Sequence, residues 1–129
     1  MKRVLVVEDN ENNMKLICLV LEKHGYESIR AFSGNEGIEK AIAEKPDIIL
    51  MDIQLTDISG IEAIQHIRMI DEMQKIPIIA ITSYAMSGDR EKILNVGCEG
   101  YFEKPINPLT IIDDIEKIVH KRDNDNTSS

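Results

Sequence analysis

Strand-like and helix-like segments alternate through nearly the whole chain, and this constrains the fold more than any other feature. Residues 3–7 (Arg-Val-Leu-Val-Val) are β-branched and apolar, and Glu8-Asp9-Asn10 follows them. A helical stretch comes next, with Met14, Ile17, Cys18 and Leu21 on one apolar face and Gly25 placed to stop it. Residues 27–32 read as a weaker strand of mixed polarity, suited to a sheet edge. Ser33 with Glu36 has the spacing of a capping box and opens a second helix that must end before Pro46. Residues 47–52 read as the central strand, its continuous apolar run Ile48-Ile49-Leu50-Met51 ending in Asp52, the habit of a strand buried on both faces. Ser59 with Glu62 starts a third helix running to about residue 71. Residues 76–82 read as another buried strand, with Pro77 near its start. Residues 85–96 read as a fourth, weakly amphipathic helix closed by Gly97, and 99–103 as a short fifth strand. Asn107-Pro108 supplies an N-cap and a first-turn proline for a last helix, with Leu109, Ile112, Ile115 and Val119 inward.

Five βα units in series predict a single-domain α/β fold, a doubly wound parallel sheet with helices on both faces. Five strands fit the flavodoxin-like order 2-1-3-4-5. The predicted domain spans 1–120, and residues 121–129 are a polar tail expected to be unstructured. Such sheets bind ligands at the carboxyl ends of strands 1 and 3, where the strand order reverses.

That placement brings Glu8, Asp9 and Asp52 together. Glu8 and Asp9 taken alone could simply favour the start of the first helix. Three carboxylates in one spot cannot all ionise cheaply, and a hard divalent cation resolves the conflict. Mg²⁺ suits an oxygen-only site of this kind, holding a carboxylate or two plus a phosphate. The next strands end in Thr82 and, one residue past 103, in Lys104. A nucleophilic carboxylate, a cation site, a hydroxyl donor and an ammonium on one rim form a set for phosphoryl transfer.

These residues carry a resemblance. Glu8-Asp9-Asn10, Leu50-Met51-Asp52-Ile53-Gln54-Leu55, Ile81-Thr82-Ser83 and Tyr101-Phe102-Glu103-Lys104-Pro105 resemble the response-regulator receiver domains of two-component signalling, over residues 2–120. Within that family the chain is most similar to single-domain regulators of the DivK type. The resemblance implies a CheY-like fold with Asp52 as phosphoacceptor. Glu8, Asp9 and Asp52 would hold Mg²⁺, with Mn²⁺ able to substitute and the backbone carbonyl of Gln54 as a further ligand. Thr82 and Tyr101 would form the switch pair, and Lys104 the cation that recognises the phosphoryl group. The Lys104-Pro105 bond is often cis in the family. Implied partners are a sensor histidine kinase or histidine phosphotransfer protein as donor, and a downstream protein reading the face made by helix 4, strand 5 and helix 5. The expected location is cytoplasmic, and no enzyme activity beyond its own phosphotransfer and dephosphorylation is implied. Three positions depart from or vary within the pattern. Thr56 stands where the family usually has proline, Ser83 where alanine is usual, and Tyr84 at a variable position where its bulk would shield an acyl phosphate from water.

Other classes fit less well. The net charge of −8 disfavours binding to nucleic acid or an anionic membrane surface. No run is long and apolar enough to span a membrane. Cys18 and Cys98 read as reduced thiols, and His24, His66 and His120 fall in no metal or relay pattern. A phosphohydrolase of the haloacid-dehalogenase type needs a second aspartate where Gln54 stands. A flavodoxin would not place Glu8 and Asp9 against a phosphate, and no G-x-G-x-x-G follows the first strand. A receiver that binds partners without phosphorylation is the remaining alternative.

Overall fold

The structure, a computed structural model, describes residues 2–83 and 87–127. Five strands, β1 (Arg3–Val7), β2 (Glu27–Ala31), β3 (Ile48–Asp52), β4 (Ile78–Thr82) and β5 (Gly100–Glu103), form one parallel sheet in the order β2-β1-β3-β4-β5. The helices are α1 (Glu11–Lys23), α2 (Gly34–Glu44), α3 (Gly60–Arg68), α4 (Ser87–Asn95) and α5 (Ile111–Thr127). The order matches the expected one, with polar β2 at an edge and β3 central.

Alternation along the strands sorts the core into two halves. Val4, Val6, Leu50, Ile79 and Ile81 pack with Met14, Ile17, Cys18 and Leu21 of α1 and Ile112, Ile115 and Val119 of α5. Leu5, Val7, Ile49, Met51 and Ile78 pack with Ala41, Ala63, Ile64 and Ile67 of α2 and α3. The uninterrupted apolar character of β1, β3 and β4 follows from burial on both faces.

Capping matches the sequence closely. Ser33 Oγ accepts the Glu36 amide at 3.1 Å, and Ser59 Oγ accepts the Glu62 amide at 3.1 Å. The Glu36 carboxylate reaches back one residue further than a standard box, to the Phe32 amide at 2.5 Å. Gly25 follows α1 with φ +86°, the left-handed turn that its lack of a Cβ permits.

The structure departs from the sequence reading at three ends. α3 stops at Arg68, and a separate 3₁₀ turn covers Asp71–Met73. Asn107 caps a turn rather than α5 itself: its Oδ1 accepts the Leu109 amide at 2.9 Å, and α5 begins at Ile111. That turn breaks the helical period, so Leu109 is 88% exposed instead of inward. α5 runs through Thr127, where residues 121–129 were expected to be an unstructured tail. No glycine or proline interrupts residues 121–127, so nothing local stops the helix, although its apolar stripe ends at Val119.

Arg68, at the end of α3, fastens the far end of the sheet. Its guanidinium donates to the carbonyls of Met73 and Gly97, both at 2.8 Å, and meets Glu99 at 3.2 Å. Glu99 in turn accepts the Ile78 amide at 2.6 Å. The pair is mostly shielded, so Arg68→Ala is expected to cost about 2–3 kcal/mol in urea unfolding, more than an exposed ion pair.

Candidate phosphoryl-transfer site

The rim at the carboxyl ends of the strands collects the residues that the sequence singled out. β1 feeds Glu8, whose amide donates to the Ala31 carbonyl at 3.0 Å and extends the ladder by one step. β3 ends in Asp52, held in the sheet opposite Ile81. Both carboxyl groups are fully buried. Glu8, Asp9 and Asp52 each offer an oxygen, and these atoms lie within 4.8 Å of one another.

Lys104 enters from beyond β5. Its amide donates to the Thr82 carbonyl at 2.9 Å, which anchors the backbone beside β4, and the Lys104-Pro105 bond is cis. The ammonium then reaches Asp52 Oδ2 at 2.9 Å and Glu8 Oε2 at 3.3 Å. The second contact is the longer of the two, and Glu8 Oε2 has no hydrogen-bond partner among the described residues. The other Asp52 oxygen accepts the Gln54 amide at 2.9 Å. Glu8 Oε1 accepts the Asn10 amide at 3.2 Å.

Burial, then the neighbouring Asp52 charge, push Glu8 up to about 7. Burial works against the charged form of Lys104, but the bond to Asp52 and the charges of Asp52 and Glu8 outweigh it and raise the ammonium above its usual range. A buried carboxylate oxygen lacking a donor beside two further carboxylates is a donor set that a divalent cation fits.

Thr82 closes β4 and is buried at 2% exposure. Tyr101 lies on β5 in register with Ala80, and is partly buried. The Gln54 side chain crosses from the loop after β3 to the loop after β4, its Oε1 accepting the Ser83 amide at 3.3 Å. Tyr84 lies outside the described residues, as do Ala85 and Met86. Cys18 is buried, and burial pushes the Cys98 thiol up to about 12; both are free thiols.

One residue at this end of the sheet escaped the sequence reading. Asp57, in the loop after β3, accepts the amides of Gly34 at 2.9 Å and Asn35 at 2.8 Å, the first turn of α2. These bonds pull its carboxyl down to about 2. Its partners are backbone groups more than 20 positions away, which side-chain patterns do not reveal.

A sheet of this order, with buried acids and a lysine at its switch point, defines a receiver-like α/β domain with a charged site at its carboxyl rim. The chain belongs to the response regulator receiver domain family, whose pattern matches residues 4–116. The polar-differentiation response regulator DivK of Brucella anthropi is 47% identical over 115 residues, 89% of this chain and 94% of that protein. A CheY-like receiver domain protein from Methanospirillum hungatei superposes with TM-score 0.88 at 28% identity, over 97% of this chain and 98% of that one. The receiver domain of a sensor histidine kinase from Pseudomonas aeruginosa superposes with TM-score 0.85 at 31% identity, over 92% and 98% of the two chains. That structure has a magnesium ion coordinated in its active-site cleft.

Proposed function

We propose that the protein accepts a phosphoryl group on Asp52 from a phosphohistidine and signals through a surface that changes with that modification. The observation that carries this is the buried Asp52 carboxylate, with Lys104 Nζ at 2.9 Å and the oxygens of Glu8 and Asp9 beside it.

In this reading an Asp52 oxygen attacks phosphorus. The P–N bond to the donor histidine breaks, and its electron pair returns to the imidazole. Glu8, Asp9, Asp52 and the Gln54 carbonyl would hold Mg²⁺, which supplies positive charge to the transferring oxygens. Lys104 moves its hydrogen bond from the carboxylate to the phosphoryl group, and the Thr82 hydroxyl donates to it. Tyr101 follows Thr82, altering the face built from α4, β5 and α5 for a downstream protein. The donor is a sensor histidine kinase or a histidine phosphotransfer protein, a reading that rests on membership of the response regulator receiver family. Among the described residues no helix is long and apolar enough to cross a membrane, and a cytoplasmic location belongs to this reading.

Incubation with Mg²⁺ and acetyl phosphate, followed by intact mass, tests it. The expected result is a gain of one phosphoryl group in the wild type and none in Asp52→Asn. No gain in a folded, Mg²⁺-bound wild type would favour a receiver that works without phosphorylation.

A further inference from the structure

We infer that Asp57 is a positioning residue for the divalent-cation site, holding the loop after β3 in the shape that the Gln54 carbonyl needs. This rests on the reading that Glu8, Asp9, Asp52 and Gln54 bind Mg²⁺.

The loop runs from Ile53 to Ser59. Its base is closed where the Gly60 amide donates to the Ile53 carbonyl at 2.9 Å. Its first turn is fixed where the Gln54 amide meets Asp52 Oδ1. Between these points the segment Leu55-Thr56-Asp57-Ile58 contains neither proline nor regular structure. Two contacts secure its crest. Asp57 takes the Gly34 and Asn35 amides, and Ile58 packs onto Gly34 so closely that a Cβ there would lie 2.5 Å from Ile58 Cγ1.

α2 also has a cap of its own. Ser33 Oγ serves the Glu36 amide, and the Ser33 carbonyl takes the Gly37 amide. The Asp57 bonds serve the two first-turn amides that this cap leaves, and in doing so fasten the loop to α2. Asp57 itself is exposed and five residues beyond Asp52, and it stands outside the acid cluster. Its action on the cation is through the loop. A metal ligand supplied by a backbone carbonyl is only as well placed as the loop carrying it, and preorganisation lowers the ordering cost of binding.

Calorimetric titration of the full chain with MgCl₂ tests this, alongside hydrogen exchange of the metal-free protein. Asp57→Ala is expected to expose the Gly34 and Asn35 amides and to weaken Mg²⁺ binding about tenfold, the low end for a supporting residue. Asp57→Asn keeps one of the two acceptor oxygens, and is expected to fall between wild type and Asp57→Ala. Ser33→Ala, which weakens α2 without touching the loop, is expected to lower Tm and leave Mg²⁺ affinity within about twofold. Weaker Mg²⁺ binding in Asp57→Ala with the Gly34 and Asn35 amides still protected would mark a charge effect and overturn the inference. So would an Asp57→Ala protein that binds like wild type. A folded wild type that binds no Mg²⁺ would instead overturn the cation site itself, a separate failure.

Discussion

Gly60→Ala is expected to lose roughly 4 kcal/mol or more of stability in urea unfolding, with correspondingly weak or absent binding at the acidic rim. A Cβ on residue 60 would lie 2.1 Å from the Asp52 carbonyl oxygen and 2.6 Å from Ile53 Cα. Both are backbone atoms, so no flexible side chain can move aside. To make room, the start of α3 must retreat from β3, which breaks the bond from the Gly60 amide to the Ile53 carbonyl. Gly25→Ala makes the contrast. Nothing lies within 4 Å of a Cβ there, and only the φ of +86° resists substitution. That variant is expected to lose about 1 kcal/mol.

The metal-free protein is expected to become less stable as pH rises from about 5 to about 7.5, and Mg²⁺ is expected to reverse this. Glu8 titrates near 4.5 when unfolded and near 7 in the fold. Between those values the folded state binds more protons than the unfolded state, so stability falls as pH increases and levels off above the folded value. The size is roughly 2–3 kcal/mol, or roughly 6–12 °C in Tm. A divalent cation competes with the Glu8 proton for the same oxygens, so its apparent affinity should strengthen over the same window. Thermal unfolding at several pH values, with EDTA or saturating MgCl₂, checks both directions. A metal-free Tm that rose steadily from pH 5 to 7.5 would refute the assignment.

Much of this end of the molecule was legible because its chemistry sits where strands stop. Apolar runs long enough to be buried on both faces announced β1, β3 and β4. The first polar residue after each run must then meet the others at one rim, which makes the meeting of Glu8, Asp52 and Thr82 legible from the sequence alone. Lys104 was legible from its place just past β5. Helix starts were equally clear wherever a side chain caps locally, as Ser33 and Ser59 do. Contacts from side chain to distant backbone were invisible. Asp57 and Arg68 each bind main-chain atoms across the fold, and neither shows any local pattern. The Asn107-Pro108 pair predicts the start of α5, whereas it opens a turn ahead of that helix, which begins at Ile111. A cap specifies that the chain bends, and tertiary packing decides when the helix begins.

The ammonium lodged between Asp52 and Glu8 has a consequence for charge balance through a signalling cycle. With a divalent ion bound as proposed, three ionised carboxylates and one lysine would leave two negative charges for that ion to neutralise. A phosphoryl group on Asp52 would replace one negative charge with about two. The pocket so modified would be electrically short by one positive charge. Nearby dipoles can turn toward the excess, and the Thr82 hydroxyl, buried at the end of the adjoining strand, is such a dipole. Neutrality at rest and imbalance when modified would make electrostatic tension the quantity this domain transmits.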